Sequence, residues 1–153
     1  MSNLKKLLKN KGYSKIPLIL GDTNHLEVTA SINGVNGRFI LDTGASNTCV
    51  GVDKASYFKL ISKDSEVKAA GAGATDMETL VSAKNKIEIG EWKKTKQQIV
   101  IFDLVHVNEA LIAHKSLPVD GIIGADILIK CKAVIDYASK NLFLKNNLGD
   151  IPL

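Results

Sequence analysis

The sequence has little of several residue types that would point to other classes of protein. Its two cysteines, Cys49 and Cys131, stand alone, too few for a disulfide framework and without the spacing of metal ligands. The only apolar run near the start, Ile16–Leu20, is far too short to cross a membrane and contains Pro17. Disulfide-stabilised and membrane-spanning classes are therefore not expected, and reduced thiols indicate a cytoplasmic location.

Arginine and aromatic residues are also scarce. Of 20 basic residues 19 are lysines, so Arg38 is the single arginine, and aromatic residues make up 5% of the chain. Five of the lysines lie in residues 1–15 without an acid, and the remaining chain, with 15 basic and 16 acidic residues, is close to neutral. Nucleic-acid binders usually carry their basic charge on the folded surface, often with stacking aromatics. Nucleic acid is therefore not expected as a main partner.

The sequence does contain the alternating pattern of a β protein. "HLEVTASIN" places apolar side chains at every second position, "NGVNG" is a hairpin signal, and "RFIL" returns as a second strand. "KIEIGEW" with "KQQIVIF", and the two arms of "AVIDYASKNLFLK", suggest further hairpins. We predict one mainly β domain over residues 26–153. Residues 1–25 form a basic N-terminal segment whose leucines have helical spacing, either a short helix or a solvated terminus.

Two short motifs carry the chemistry. The returning strand ends in Asp42-Thr43-Gly44, and an apolar strand that ends in a glycine follows in "DGIIGAD", Asp120–Asp126. The triplet alone is a weak signal, because its residues all favour turns. The two motifs in this order, with the Gly-rich "AAGAGA" between them, resemble the retropepsin-type aspartic proteases, single-domain relatives of pepsin that include the retroviral proteases. The resemblance covers roughly residues 26–145.

This resemblance implies a fold and an activity. The fold would be a closed β-barrel of the acid-protease type with one or two short helices, and the activity that of an aspartic endopeptidase without cofactor or metal. Members of the family supply one Asp per chain, so the second carboxylate would be Asp42 of a second copy across a two-fold axis. Two adjacent carboxylates share one proton and can activate a water for attack on a peptide bond. The implied partners are a second copy of the chain and a peptide or protein substrate, with no membrane.

The resemblance also assigns roles to individual residues. Asp42, Thr43 and Gly44 would form the catalytic loop, with the Thr43 hydroxyl directed at the opposite loop and the Gly44 N–H at the carboxylate. Many pepsin-like enzymes have Ser where Ala45 stands, and its hydroxyl can stabilise the charged dyad. Its absence predicts activity nearer to neutral pH. The substrate-binding residues would follow the triplet and form the tip of a flap: Ala45, Ser46, Ala70, Gly71, Ala72, Gly73 and Ala74.

Two features depart from the retroviral pattern. Retroviral members commonly pair an acid at the place of Ser46 with an Arg at the place of Ala125, and both are missing here. The chain is also longer, with its N-terminal segment and with Asp103–Pro118, in which "NEALIAHK" suggests one helical turn; either could cover or reshape the cleft. A second hypothesis therefore stays open, a catalytically silent peptide-binding or dimerisation module of the same fold.

The remaining polar candidates have simpler interpretations. Asp120 is expected to start a strand, and Asp126 to cap a short helix or to face solvent, so neither is predicted to be a second catalytic acid. His25, His106 and His114 show no spacing typical of metal ligands. The sequence therefore predicts no metal site.

Overall fold

The computed structural model describes residues 2–64 and 79–146, and strands are the commonest regular structure in both stretches. The strands are Tyr13–Pro17 (β1), Ile19–Leu20 (β2), Leu26–Ile32 (β3), Val35–Leu41 (β4), Cys49–Gly51 (β5), Lys63–Asp64 (β6), Leu80–Ile89 (β7), Trp92–Phe102 (β8), Gly121–Ile123 (β9), Val134–Asp136 (β10) and Asn141–Lys145 (β11). The helices of these stretches are Ser2–Asn10 (α1), Val105–Ala113 (α2) and Ala125–Lys130 (α3), with a 3-10 turn at Val52–Lys54. Within the described residues, no helix is long and apolar enough to span a membrane.

Six strands close into a barrel, in the order β3-β4-β9-β5-β8-β7, with β7 pairing back onto β3 where Ile87 lies opposite Ile32. Strands β2 and β6 extend this sheet beside β3 and β7. The pairs β4–β9 and β5–β8 are parallel. The parallel β4–β9 pair positions the site, because the carboxyl ends of two strands far apart in sequence then lie at the same edge of the sheet.

A second, three-stranded sheet joins the two ends of the chain. Its order is β1-β11-β10, with Tyr13 opposite Lys145 and Val134 opposite Phe143. Helix α1 precedes β1, and its Leu8 is buried while Leu7 is half exposed. The division of the chain into an N-terminal segment, residues 1–25, and a domain, residues 26–153, stays a prediction.

Strand β4 divides its side chains between two cores. Phe39 and Leu41 pack into the larger cluster, while Ile40, between them, packs into a smaller one. This is the alternation of a strand that is covered on both faces. We call the smaller cluster the second core; its buried members are Ile40, Cys49, Val81, Val100, Phe102, Leu104, Leu111, Val119 and Ile122.

Helix α2 is longer than the single turn that the sequence predicts. Leu104 and Leu111 are buried in the second core and attach both ends of the helix to the barrel. The Asn108 side chain donates to the carbonyl of Val119 at 3.1 Å and accepts from its N–H at 2.8 Å. These contacts with residues distant in sequence stabilise the full helix, since short isolated helices are marginal in water.

Candidate active site

Asp42 follows β4 directly, at the edge where β9 also ends. Leu41 lies opposite Ile123 in the parallel register, and the Asp42 N–H donates to the Ile123 carbonyl at 3.0 Å. Asp42 is half-buried at the start of an open loop. The fold therefore presents this acid at the rim of the barrel.

The loop itself positions the carboxylate. The Gly44 N–H donates to Asp42 Oδ1 at 2.9 Å, and the Ala45 N–H donates to the Asp42 carbonyl at 3.2 Å. A side chain at Gly44 would bring its Cβ within 3.3 Å of the same oxygen. The hydrogen bond from the Gly44 N–H thus holds one carboxylate oxygen of Asp42 in place. The missing side chain leaves room for the tight turn, as the resemblance implies for Gly44.

The second motif packs against the first through backbone contacts. The Ala125 N–H donates to the Ala45 carbonyl at 2.7 Å. A Cβ added at Gly124 would lie 2.8 Å from the Ala45 oxygen and 2.8 Å from the Asn47 carbonyl carbon. Real Cβ atoms do not approach backbone so closely, so this position requires glycine.

Asp126 and Thr48 join the two motifs, a role that the sequence did not predict. The fully buried Thr48 donates its N–H and its hydroxyl to Asp126 Oδ1 at 3.0 and 2.8 Å. The same hydroxyl accepts the Gly124 N–H at 3.0 Å, and Gln97 donates to Asp126 Oδ2 at 3.2 Å. The expectation that Asp126 caps a helix or faces solvent is wrong. It bridges the two motifs through Thr48.

Other acids near the motifs in sequence are paired elsewhere. Asp120 accepts the Arg38 N–H at 3.0 Å and lies 3.8 Å from the Lys54 amine. Arg38 precedes Asp42 by four residues of extended chain. Asp120, which contacts Arg38, therefore lies roughly 13 Å from Asp42 along the sheet. Glu27, which is buried, forms an ion pair with Arg38. Within the described part of this single chain, these acids and Asp126 are engaged away from the Asp42 carboxylate.

Thr43 faces a concave apolar surface beside the loop. Thr43 and Ser46 are both exposed. Thr43 borders a depression of about 440 Å³ between the loop, α3 and β10. Ile129 at its edge is 75% exposed, although exposed large apolar side chains are costly to hydrate. We call this surface the α3 face; its other lining residues are Ala125, Leu128, Lys132, Ala133 and Ile135.

Cys49 lies behind the loop as a neutral thiol. It is buried in the second core, and burial raises the pKa of the thiol to about 12, with smaller contributions from the carboxylates of Asp126 and Asp42. A thiol with so high a pKa is a poor nucleophile. The structure therefore agrees with the interpretation of Cys49 as a small buried residue.

Part of the predicted site lies outside the described residues. This applies to the flap tip, Ala70, Gly71, Ala72, Gly73 and Ala74. Among residues 2–64 and 79–146, no group of three or more His, Cys, Asp or Glu side chains is arranged to hold a metal ion. The Nδ1 atom of His25 lies 2.7 Å from the hydroxyl oxygen of Thr23.

Comparison with known proteins identifies the family. The sequence profile described as aspartyl protease matches residues 28–127. The chain belongs to this family. The match contains both motifs, from β3 to the start of α3, and confirms the resemblance on which the sequence interpretation rested. No curated protein matches the chain by sequence.

Solved structures share the fold. A retropepsin-like aspartic protease from Rickettsia conorii is 17% identical; the match spans 88% of this chain and 90% of that structure, with a TM-score of 0.58. EIAV protease in complex with the inhibitor HBY-793 is 18% identical; the match spans 77% of this chain and 98% of that structure, with a TM-score of 0.56. The retroviral protease-like domain of Ddi1 from Leishmania major is 18% identical; the match spans 80% of this chain and 90% of that structure, with a TM-score of 0.53. The retropepsin-like fold predicted from the sequence is thus confirmed.

Proposed function

We propose that the chain is an aspartic endopeptidase whose catalytic site is completed by a second copy of itself. The observation that carries the proposal is the Asp42 carboxylate at the barrel rim. Asp42 is half-buried and one of its oxygens is held by the Gly44 N–H, while Asp120, Asp126 and Glu27 have partners elsewhere in the described part of the chain. A dyad needs two carboxylates in one site. A two-fold axis beside the loop supplies the second from one motif.

The α3 face supports the position of that axis. Thr43 lies at its border, so a second copy seated there brings the two Asp42 loops together and covers the exposed Ile129. Lys132 on the same face has an amine that can remain at the rim of such an interface, where charge is tolerated. Dimerisation thereby buries apolar surface and completes the site in one step.

The chemistry follows from two carboxylates that share a proton. The ionised member takes a proton from a water between them, and the protonated member donates to the carbonyl oxygen of the peptide bond. Water attacks the carbonyl carbon directly, and the amine leaves with a proton, so no covalent intermediate forms. The Gly44 N–H donates to Asp42 Oδ1 at 2.9 Å and so orients this carboxylate. We also propose a cytoplasmic location, which suits the two buried free thiols.

Cleavage of a mixed peptide library tests the proposal. Wild type, Asp42→Asn and the control Asp53→Asn, which alters an exposed acid outside the loop, are compared between pH 4 and pH 8 at several protein concentrations. We expect cleavage by wild type and by the control, none by Asp42→Asn, and a specific activity that rises with protein concentration. Equal inertness of folded wild type and Asp42→Asn at high concentration would instead favour a silent binding or dimerisation module.

Ala45 provides a second readout of the same site. Its methyl group packs against the second core beside the carboxylate and offers no hydroxyl. In Ala45→Ser the added hydroxyl can donate to the charged dyad and favour ionisation. We expect the acidic limb of the pH profile to move to lower pH in Ala45→Ser. An unchanged profile in an active variant would contradict this role.

A further inference from the structure

The first 21 residues collect positive charge without any acid, since the first acid in the sequence is Asp22. They contain five lysines, and all five side chains are exposed. The ion pairs found among residues 2–64 and 79–146 involve none of them. We call these side chains the basic surface; its members are Lys5, Lys6, Lys9, Lys11 and Lys15.

Helix α1, which carries three of these lysines, is attached to the protein along one side. Leu8 is buried, and Leu4, one turn before it, is half-buried. The helix ends at Gly12, whose φ of +88° favours glycine and whose N–H donates to the Lys9 carbonyl at 3.1 Å. The chain then enters β1, which pairs with β11 over its whole length. The fold therefore keeps the other side of α1 facing outward.

This outer side combines lysines with an exposed leucine. In a helix of 3.6 residues per turn, Lys6 lies opposite the buried Leu8, and Leu7 and Lys9 lie about 100° from Leu8 on either flank. Leu7 is 51% exposed. Lysines beside an exposed apolar side chain are typical of helices that lie in the interface of a membrane.

The fold also holds like charges of the basic surface together. A contact with the Lys15 side chain, and the charge of its amine, lower the pKa of Lys5. Repulsion between neighbouring amines disfavours their charged forms. A negatively charged partner would relieve this repulsion, so the basic surface is suited to a partner rich in anions.

Two features favour lipid over nucleic acid as that partner. Attraction to anionic headgroups depends on the number of positive charges near the surface, which lysines supply, whereas nucleic-acid binders commonly use forked arginine contacts and stacking aromatics. The single arginine, Arg38, is paired with Glu27. The one aromatic residue among the first 21, Tyr13, is half-buried and donates its hydroxyl to the Lys132 carbonyl at 2.9 Å.

We propose that α1 docks the protein on membranes rich in anionic lipid: the basic surface lies against the headgroups, and Leu7 enters the boundary of the acyl chains. Docking of this kind needs no spanning segment. It therefore differs from the expectation of no membrane partner, which considered only a run long enough to cross. Anionic lipids face the cytoplasm, in keeping with the location proposed above. The inference is independent of the proposed protease activity.

Sedimentation of the full chain with lipid vesicles tests the proposal. Vesicles of phosphatidylcholine alone are compared with vesicles of phosphatidylcholine and phosphatidylserine in equal amounts, at low and at high salt. We expect wild type to bind only the anionic vesicles and to be released at high salt, because exposed charges are screened. A Lys6→Gln, Lys9→Gln variant should lower the partition coefficient roughly fivefold for each lysine replaced. Leu7→Gln, which keeps the charge, should lower it severalfold.

The matched control is a Lys59→Gln, Lys115→Gln variant, which removes the same charge from two exposed lysines outside the basic surface. We expect it to bind as wild type does. If folded wild type does not bind anionic vesicles, or if the control loses as much binding as Lys6→Gln, Lys9→Gln, the proposal is overturned. It is also overturned if Lys6→Gln, Lys9→Gln weakens binding to a DNA duplex and leaves vesicle binding unchanged, since the basic surface would then serve nucleic acid.

Discussion

Replacing Thr48 tests whether its hydroxyl joins the two motifs. In Thr48→Val the shape is kept but the hydroxyl is lost, which removes the bond to Asp126 at 2.8 Å and leaves the buried Gly124 N–H without its acceptor at 3.0 Å. An orphaned buried donor costs about 1–3 kcal/mol, and a lost hydrogen bond to a charged group adds to it. Asp126 is half-buried and still accepts the Thr48 N–H, so we expect a total loss of about 2–4 kcal/mol.

Thr48→Ser is the matched comparison. It retains the hydroxyl and both bonds and removes one methyl group from a fully buried site, which costs about 1 kcal/mol. The assay is urea unfolding at one fixed protein concentration, because dimerisation links stability to concentration. We expect the unfolding free energy of Thr48→Val to fall clearly below that of Thr48→Ser with the same urea dependence. Equal stability of the two variants would show that the Thr48 hydroxyl does not join the two motifs.

Three further predictions concern the Gly124 turn and the two thiols. In Gly124→Ala the new Cβ meets backbone at 2.8 Å, so we expect a loss of about 1–3 kcal/mol or more in thermal unfolding together with loss of peptide cleavage. If Gly124→Ala is as stable as wild type, the loop can instead move to accommodate the new Cβ. Burial raises the pKa of Cys49 and Cys131 from 9.0 to about 12. Above pH 9 the unfolded chain therefore releases protons that the native state keeps, and the unfolding free energy falls toward pH 12. Comparing its pH dependence in wild type and in a Cys49→Ala, Cys131→Ala variant checks this; identical slopes would contradict it. At pH 8 we expect a thiol reagent to react slowly with native protein and rapidly in urea.

Local patterns were sufficient to predict the elements that carry the motifs. Period-two alternation and a hairpin signal placed a strand before Asp42, and β4 ends at Leu41. The run before Gly124 predicted β9 and the helix that follows it. These features depend on residues adjacent in the chain. The family resemblance then supplied the order in which the elements assemble.

Contacts between distant residues could not be predicted in this way. Asp126 carries the marks of a helix-capping acid, yet its partners are Thr48 and Gln97, which lie 78 and 29 residues away in the sequence. Helix α2 exceeds one turn because Asn108 binds the Val119 backbone and Leu111 is buried, neither of which local propensity reports. The sequence has Ser46 and Ala125 where retroviral members commonly pair an acid with an arginine. This absence was the available signal that other residues must join the two motifs.

Mixing wild type with Asp42→Asn tests most directly whether two copies of Asp42 form the site. The two proteins are co-refolded at a constant total concentration while the wild-type fraction varies, and cleavage of one peptide is measured. Random pairing in a dimer that requires both carboxylates predicts activity that follows the square of the wild-type fraction, about a quarter at an equal mixture. Activity that falls in direct proportion, to about half, would show instead that each chain acts alone.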